Sequence, residues 1–413
     1  MLIIQPSARP IRASKKRKSS IGLAVAGGGP IGGMYELGAL RAMEEALDGL
    51  DLTRLDVYVG VSSGAFLSAA LANGLGTAEM CRIFLTHDSD QAHFRPEIFL
   101  KPALTEYARR LLSVPRVLAG WIGDLVTRPL DTDWSDVLGR LGTLIPTGLF
   151  DNQAIEEFLR GVFESHGRSN DFRQLKRKLY VISVELDTGQ TVRFGSEGLD
   201  HIPISRAVQA SAALPGLYPP VEIDGRWYVD GALRRTLHAS VALDEGCDLV
   251  LGVNPLVPFD AGLAQRNGRA VPESLMEGGL PAVLSQTFRT LLRSRMQVGL
   301  EKYQRQYEKS ELVLFEPNPD DVEMFFTNAF SYQSRVRVAE HAYRCTLSDL
   351  HANFDKLAPL FARHGLRLRK EIVSDHNREL MASLGMRPPR RTDATTRLRR
   401  ALDELDQSIS TRH

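Results

Sequence analysis

The 413-residue chain is 43% hydrophobic and 24% charged and carries a formal net charge of +1. That length buries a substantial core in one large domain plus an appended region, or in two or three domains, and the near-neutral balance argues against nucleic acid as a partner. The three cysteines, Cys81, Cys247 and Cys345, are scattered and in no metal or redox spacing, which excludes a disulfide framework and fits a reducing compartment. Residues 1–20 carry Arg9, Arg12, Lys15, Lys16, Arg17 and Lys18 without an acid. They are expected to be a disordered basic tail, with attraction to an anionic lipid surface as the alternative. The apolar run Ile21 to Ala26 is too short for a signal-peptide core, and no stretch has the uninterrupted length of a membrane span. The expected location is the cytoplasm, with any contact to a membrane or lipid-droplet surface being peripheral.

Ile21 to Ala26 reads as a short buried strand, followed by a glycine-rich turn, Gly27 to Gly33. A helix comes next, with Met34, Leu37, Leu40, Met43 and Leu47 near one face. Asp56 to Val59 is a second buried strand; it runs into Gly60-Val61-Ser62-Ser63-Gly64 and a small-residue helix, Ala65 to Ala72. Two strand–turn–helix units in succession predict an α/β fold with a parallel sheet. Five prolines break up residues 84–150, where Leu104, Tyr107, Ala108, Leu111 and Leu112 share a helical stripe; this segment is expected to be a helical insertion or lid, or ordinary core helices. Further strands are predicted over Leu179 to Val184 and Leu249 to Val253, with a hairpin over Val221 to Val229 turning at Asp224-Gly225. Residues 256–385 read as helical. Their strongest stripe, Leu280 to Leu292, is expected to be buried against the catalytic domain or in a homo-oligomer interface. Residues 386–413, with a basic run from Arg387 to Arg400, are expected to be a flexible tail.

Gly60-x-Ser62-x-Gly64 between a strand and a helix has the context of a nucleophile elbow. The turn must hold the hydroxyl of Ser62 out from the sheet edge, and side chains at 60 and 64 would collide in it. Ser63 lacks the flanking glycines, so its contribution is expected to be a backbone amide aimed at the reacting oxygen. Attack on an ester creates an oxyanion, which backbone N–H groups stabilise. In the loop Gly27-Gly28-Gly29-Pro30-Ile31-Gly32-Gly33, Pro30 has no N–H, so the donors fall among Gly28, Gly29 and their neighbours. Gly27, Gly29 and Gly32 also spell G-x-G-x-x-G. A dinucleotide site, however, wants an acidic residue at the end of the second strand, where this chain has Gly60-Val61-Ser62. A phosphate-binding loop would need Lys-Ser or Lys-Thr after the glycines, and none follows. Asp230-Gly231-Ala232 ends the hairpin strand; alone, Asp-Gly is most often a plain turn.

The glycine loop, then Gly60-x-Ser62-x-Gly64, then Asp230-Gly231-Ala232, with Ala210-Ser211-Ala212-Ala213-Leu214-Pro215 ahead of the aspartate, resembles the patatin-like phospholipases over about residues 21–255. The resemblance implies a three-layer α/β/α domain, a mainly helical C-terminal region lying beyond it. It also implies a Ser–Asp dyad in place of a triad, with Ser62 as nucleophile, Asp230 as base, and the amides of Gly27, Gly28, Gly29 and Ser63 as the oxyanion hole. Gly32, Gly60, Gly64 and Gly231 would be the loop and elbow glycines. The family usually has Arg or Lys before the last glycine of the first motif; this chain has Ile31, which bears on headgroup preference.

The reading is a lipid acyl hydrolase acting on phospholipid or acylglycerol esters through an acyl-enzyme, with no metal or organic cofactor. The rival is a non-catalytic lipid-surface or scaffold protein on the same fold. A histidine-assisted mechanism would draw on His238 or His341.

Overall fold

The computed structural model describes residues 1–7, 19–86, 101–103, 146–269, 274–327 and 332–385. Its centre is a nine-stranded sheet. In chain order the strands are β1 (Leu2–Gln5), β2 (Ile21–Val25), β3 (Val57–Val61), β4 (Lys178–Glu185), β5 (Thr191–Phe194), β6 (Val221–Ile223), β7 (Arg226–Asp230), β8 (Leu249–Val253) and β9 (Glu311–Phe315). The spatial order is β1-β9-β8-β2-β3-β4-β7-β6, with β5 also paired to β4. The five strands from β9 to β4 are mutually parallel, and the outer pairings are antiparallel.

Parallel strands covered on both faces read as near-continuous apolar runs, and β2, β3 and β8 are buried at every position. Their side chains alternate between two cores. Leu23, Val25, Tyr58, Val181 and Leu251 face one cluster; Ala24, Val59, Val61, Ile182 and Val250 face the other. The first cluster is covered by α1 (Gly29–Ala46), α2 (Ser63–Ala72), α3 (Gln153–Phe163), α4 (Ile204–Ser211) and, from the C-terminal region, α6 (Tyr332–Ala352). The second is covered by the short helix Ala239–Asp244 and by part of α5 (Gly279–Gln306). The result is the three-layer α/β/α arrangement. The hairpin turns as expected: Asp224 (φ 50°) and Gly225 (φ 75°) both take positive φ, the requirement of a two-residue type I′ turn.

Three expectations need correction. The chain start is not all tail, because Leu2–Gln5 forms an edge strand antiparallel to β9, in register from Leu2 with Phe315 to Gln5 with Leu312. The branched residues Ile3 and Ile4 suit a pleated surface. The C-terminal region is mainly helical, as expected, but it is not separate from the domain: β9 enters the central sheet beside β8, and α6 crosses α1 so closely that a Cβ on Gly38 would lie 2.1 Å from the Ala339 carbonyl oxygen. The stripe Leu280 to Leu292 is not buried against the domain. Leu280, Leu284 and Leu291 are 69%, 58% and 59% exposed, whereas Leu292 is buried. Helix α5 spans 28 residues and docks through its second half, by Leu292, Met296, Leu300 and Tyr303, leaving the first half overhanging.

Among the described residues no helix is long and apolar enough to cross a membrane. Of the segment 84–150, residues 87–100 and 104–145, including the stripe from Leu104 to Leu112, lie outside the described residues; so do 8–18 and 386–413.

Candidate active site

The carboxyl ends of β2 and β3, adjacent in the parallel part of the sheet, each feed a helix N-terminus. Crevices outside such strand ends are where open α/β sheets bind ligands. Ser62 follows β3 with φ 52° and ψ −120°. A left-handed φ is uncommon for a residue bearing a side chain and is held only where the surroundings enforce it. Here both elbow glycines do so. A Cβ on Gly60 would lie 2.4 Å from the Ala65 Cα, and one on Gly64 2.4 Å from the Ala26 carbonyl oxygen. Ser62 is buried at 8% exposure, with its amide donating to the Ser211 hydroxyl at 2.9 Å. Ser211 in turn donates to the Ile182 carbonyl.

The antiparallel strand β7 delivers Asp230 to the same row. Val61 pairs with Ile182 in β4, and the next β4 residue, Ser183, pairs with Asp230. Ser62 and Asp230 therefore lie level on the two sides of β4. Asp230 is 2% exposed; its amide donates to the Ala213 carbonyl at 3.0 Å, and its Oδ1 accepts the Ala232 amide at 2.8 Å. Burial pushes its pKa up to about 6, against the Ala232 amide and a hydrogen bond from Ser62, which both hold it down. Gly231 cannot carry a side chain here, since a Cβ would lie 2.4 Å from the Ile182 carbonyl oxygen.

The glycine-rich loop closes over the serine. A Cβ on Gly27 would sit 2.9 Å from the Ser62 Cβ, and one on Gly28 2.4 Å from the Pro255 Cγ. Gly29 takes φ 62°, and Gly32, inside α1, packs on Pro255. The Gly28 amide donates to the Ser63 hydroxyl at 3.0 Å, and that hydroxyl donates to Glu36 Oε1 at 3.2 Å. Glu36 is wholly buried, and burial raises its carboxyl well above the usual range, with the Ser63 bond acting in the opposite direction. The amides of Gly29 and Ser63 open α1 and α2, where helix geometry gives them no i−4 partner and the helix dipole is positive.

Ser62, Asp230 and the loop line one cavity of about 590 Å³, whose walls are largely apolar, among them Met34, Phe66, Phe84, Ile155 and Val208. Leu284, Phe288 and Arg289 of α5 and Arg335 of α6 also line it, so the overhanging half of α5 frames the cavity. Neither histidine does. His238 is buried, and its pKa is driven down to about 3, chiefly by burial and then by Arg235 and Arg193; its hydrogen bonds run to the Gly231 and Arg235 backbone. His341 pairs with Asp321 at 2.7 Å; burial opposes its charge, but Asp321 and Cys345 outweigh that and raise it to about 10. Among the described residues no group of His, Cys, Asp and Glu has the makings of a metal site.

Sequence reasoning missed Ser211 and Glu36. Ser211 lies inside the recognised Ala210–Pro215 block, and a glutamate on the apolar face of α1 is a readable anomaly.

A family profile for patatin-like phospholipase matches residues 23–243. The chain is 29% identical over 224 residues to "Uncharacterized NTE family protein MT2641" of Mycobacterium tuberculosis, an alignment covering 54% of this chain and 28% of that one. It is 24% identical over 224 residues to "Uncharacterized protein R571" of Acanthamoeba polyphaga mimivirus, covering 54% and 62%. The chain thus spans about a quarter of the length of the first of these relatives and under two thirds of the second. Among solved structures, VipD from Legionella pneumophila aligns with a TM-score of 0.33 at 15% identity, covering 78% of this chain and 67% of that one. Human GIVD cytosolic phospholipase A2 aligns with a TM-score of 0.30 at 14% identity, covering 79% and 57%. With a profile match spanning more than half its length, the chain belongs to the patatin-like phospholipase family.

Proposed function

We propose that the protein is a lipid acyl hydrolase that cleaves fatty acyl esters of phospholipid or acylglycerol type through an acyl-enzyme on Ser62, with Asp230 as general base. The Ser62 oxygen attacks the ester carbonyl as its proton passes to the Asp230 carboxylate. The tetrahedral oxyanion is held by amides of the glycine loop and Ser63. Its collapse breaks the bond to the alcohol, which leaves with the proton from Asp230. Water then repeats the sequence, releasing the fatty acid and restoring Ser62. No step calls on a metal or an organic cofactor.

The observation that carries this reading is the pairing of Ser62, in its left-handed elbow, with a buried carboxyl whose pKa lies near 6. Such a group is ionised at neutral pH yet basic enough to take the proton. The Gly28 amide is occupied by Ser63, which favours Gly29 and Ser63 as the main oxyanion donors. The largely apolar cavity suits an acyl chain, and the exposed Leu280, Leu284 and Leu291 on α5, of which Leu284 lines the cavity, suit peripheral contact with a lipid surface. The three cysteines, all free, suit the cytoplasm.

A fluorophosphonate probe labels only an activated serine. It should label the wild-type chain at Ser62 and leave Ser62→Ala unlabelled. A folded wild-type chain that takes no label, or takes it elsewhere, would rule the reading out.

A further inference from the structure

The cavity beside Ser62 touches only the opening residues of two of the helices around it: Ser63, Phe66 and Leu67 of α2, and Ile155 of α3. Phe66 stands one helical turn past Ser62, whose carbonyl accepts the Phe66 amide at 3.3 Å. Side chains on a helix lean toward its N-terminus, so the Phe66 ring leans back toward the serine. It is held from two sides. Phe84 meets it edge-on, with ring centroids 5.2 Å apart and planes at 70°, and Phe158 of α3 stacks on it at 6.2 Å and 6°. Both are favourable ring arrangements. Phe158 does not line the cavity, so it stands behind the Phe66 ring. Phe84 is fixed in turn: it sits in the π-helical turn Arg82–Thr86, and its carbonyl accepts Nη1 of the buried Arg335 at 3.2 Å.

The wall around Phe66 is shut off from solvent. Leu67, Phe84, Ile155, Val208 and Tyr218, which line it, are all buried. Leu284, by contrast, lines the cavity from the overhanging half of α5 at 58% exposure, so a lipid can enter there. With its ester carbonyl at Ser62, such a lipid would bury its acyl chain among the shut apolar walls, running toward the paired rings of Phe66 and Phe84. Beyond Phe66 the same face of α2 carries only Ala69 and Ala70, at i+3 and i+4. The Phe66 ring, braced by Phe84 and Phe158, therefore closes this end of the cavity, and the small residues behind it would not.

We infer that Phe66 is a specificity-determining residue: the stop that sets the longest acyl chain the cavity accepts. This rests on the acyl-hydrolase reading above, and its test separates the two. Hydrolysis by the full chain is measured on a series of straight-chain p-nitrophenyl esters from butanoate to octadecanoate. In the wild type kcat/KM should rise as each added methylene is buried, reach an optimum and fall beyond it. Phe66→Ala should move the optimum to a longer chain. The ratio of kcat/KM for the first ester past the wild-type optimum over that at the optimum should rise by about tenfold or more, the discrimination an apolar pocket gives one methylene. Phe66→Leu, the milder change, should move the optimum part of the way. A ring that serves only the fold would lower the rates at all lengths alike. An unchanged optimum in folded Phe66→Ala or Phe66→Leu would overturn the inference, as would a wild type whose rate falls at no length.

Binding is measured in parallel by thermal shift with straight-chain alcohols from octanol to octadecanol. Stabilisation of the wild type should grow with length and then stop growing, and in Phe66→Ala it should go on growing to a longer alcohol. This arm needs no turnover, so it stands if Ser62 proves unreactive. Stabilisation of the wild type that grows through the whole series would contradict a stop, even if both variants fail to fold. A folded Phe66→Ala that follows the wild-type series would contradict the assignment to Phe66.

Discussion

The amide of Ser62 donates to the Ser211 hydroxyl at 2.9 Å, so the N–H of the proposed nucleophile is committed to holding the elbow. Ser211 belongs to the segment whose Ala213 carbonyl accepts the Asp230 amide, and one short stretch thereby fixes both residues of the proposed dyad. Ser211→Ala leaves a buried N–H unpaired, at a cost of about 1–3 kcal/mol. It should lower turnover roughly 10- to 100-fold through misplacement of Ser62. Denaturant melts and hydrolysis rates check both; a variant as stable and as active as wild type would show that the elbow needs no such brace.

Glu36, Ser63 and Gly28 form a chain of hydrogen bonds behind the glycine loop. Ser63 thus has a side-chain role beyond the amide expected from sequence. Glu36→Leu removes the acceptor for the Ser63 proton and should lower kcat by about tenfold, with KM little changed, since only oxyanion geometry is disturbed. Glu36→Gln keeps an acceptor oxygen and should cost much less. Equal losses in the two variants would mean that the carboxyl acts by packing alone.

Asp230 has consequences for stability as well as rate. Its folded pKa, about 6, lies above the unfolded value of roughly 3.9. A raised pKa contributes stability that is fully present below the unfolded value and is lost as pH rises through the folded one. The ionised form is therefore the destabilising one, by up to about 3 kcal/mol for a shift of roughly two units. Asp230→Asn keeps the oxygen that accepts the Ala232 amide. It should melt higher than wild type at pH 8, with the difference shrinking toward pH 4. A difference independent of pH would contradict a buried, titrating Asp230.

Much of this fold is legible in the sequence, because buried parallel strands are apolar runs and the Gly60–Gly64 and Asp224-Gly225 turns have obligatory residues. The elements that escaped had weaker local signals. β1 is four residues long and stands next to a basic run that dominates the composition. β9, Glu-Leu-Val-Leu-Phe, lies among helices, and its burial depends on neighbours distant in the chain. The stripe on α5 has the period of a buried face, but its first half frames the cavity instead of packing on the sheet. Within the site, the glycines and Ser62 are fixed by backbone geometry that a motif encodes. Leu284, Phe288 and Arg335 reach the cavity only through tertiary packing.

The acidic limb of the pH–rate profile should fall near pH 6, where Asp230 loses its charge as pH drops. That value is close to the ordinary histidine range of about 6.5, so the limb alone does not identify the base. Substitution does. Asp230→Asn should abolish ester hydrolysis while keeping its fold. His341→Ala should leave turnover in place, because His341 lies away from the cavity and is tied to Asp321. His238 is neutral and bonded to the Gly231 backbone, so His238→Ala should lower turnover modestly and leave the limb near pH 6. The most direct test of the dyad is therefore the rate of Asp230→Asn beside that of His238→Ala, each across pH 5 to 8. The expected result is no activity in the first and a reduced, wild-type-shaped profile in the second. A folded His238→Ala as inactive as Asp230→Asn, or an Asp230→Asn that still turns over, would contradict it.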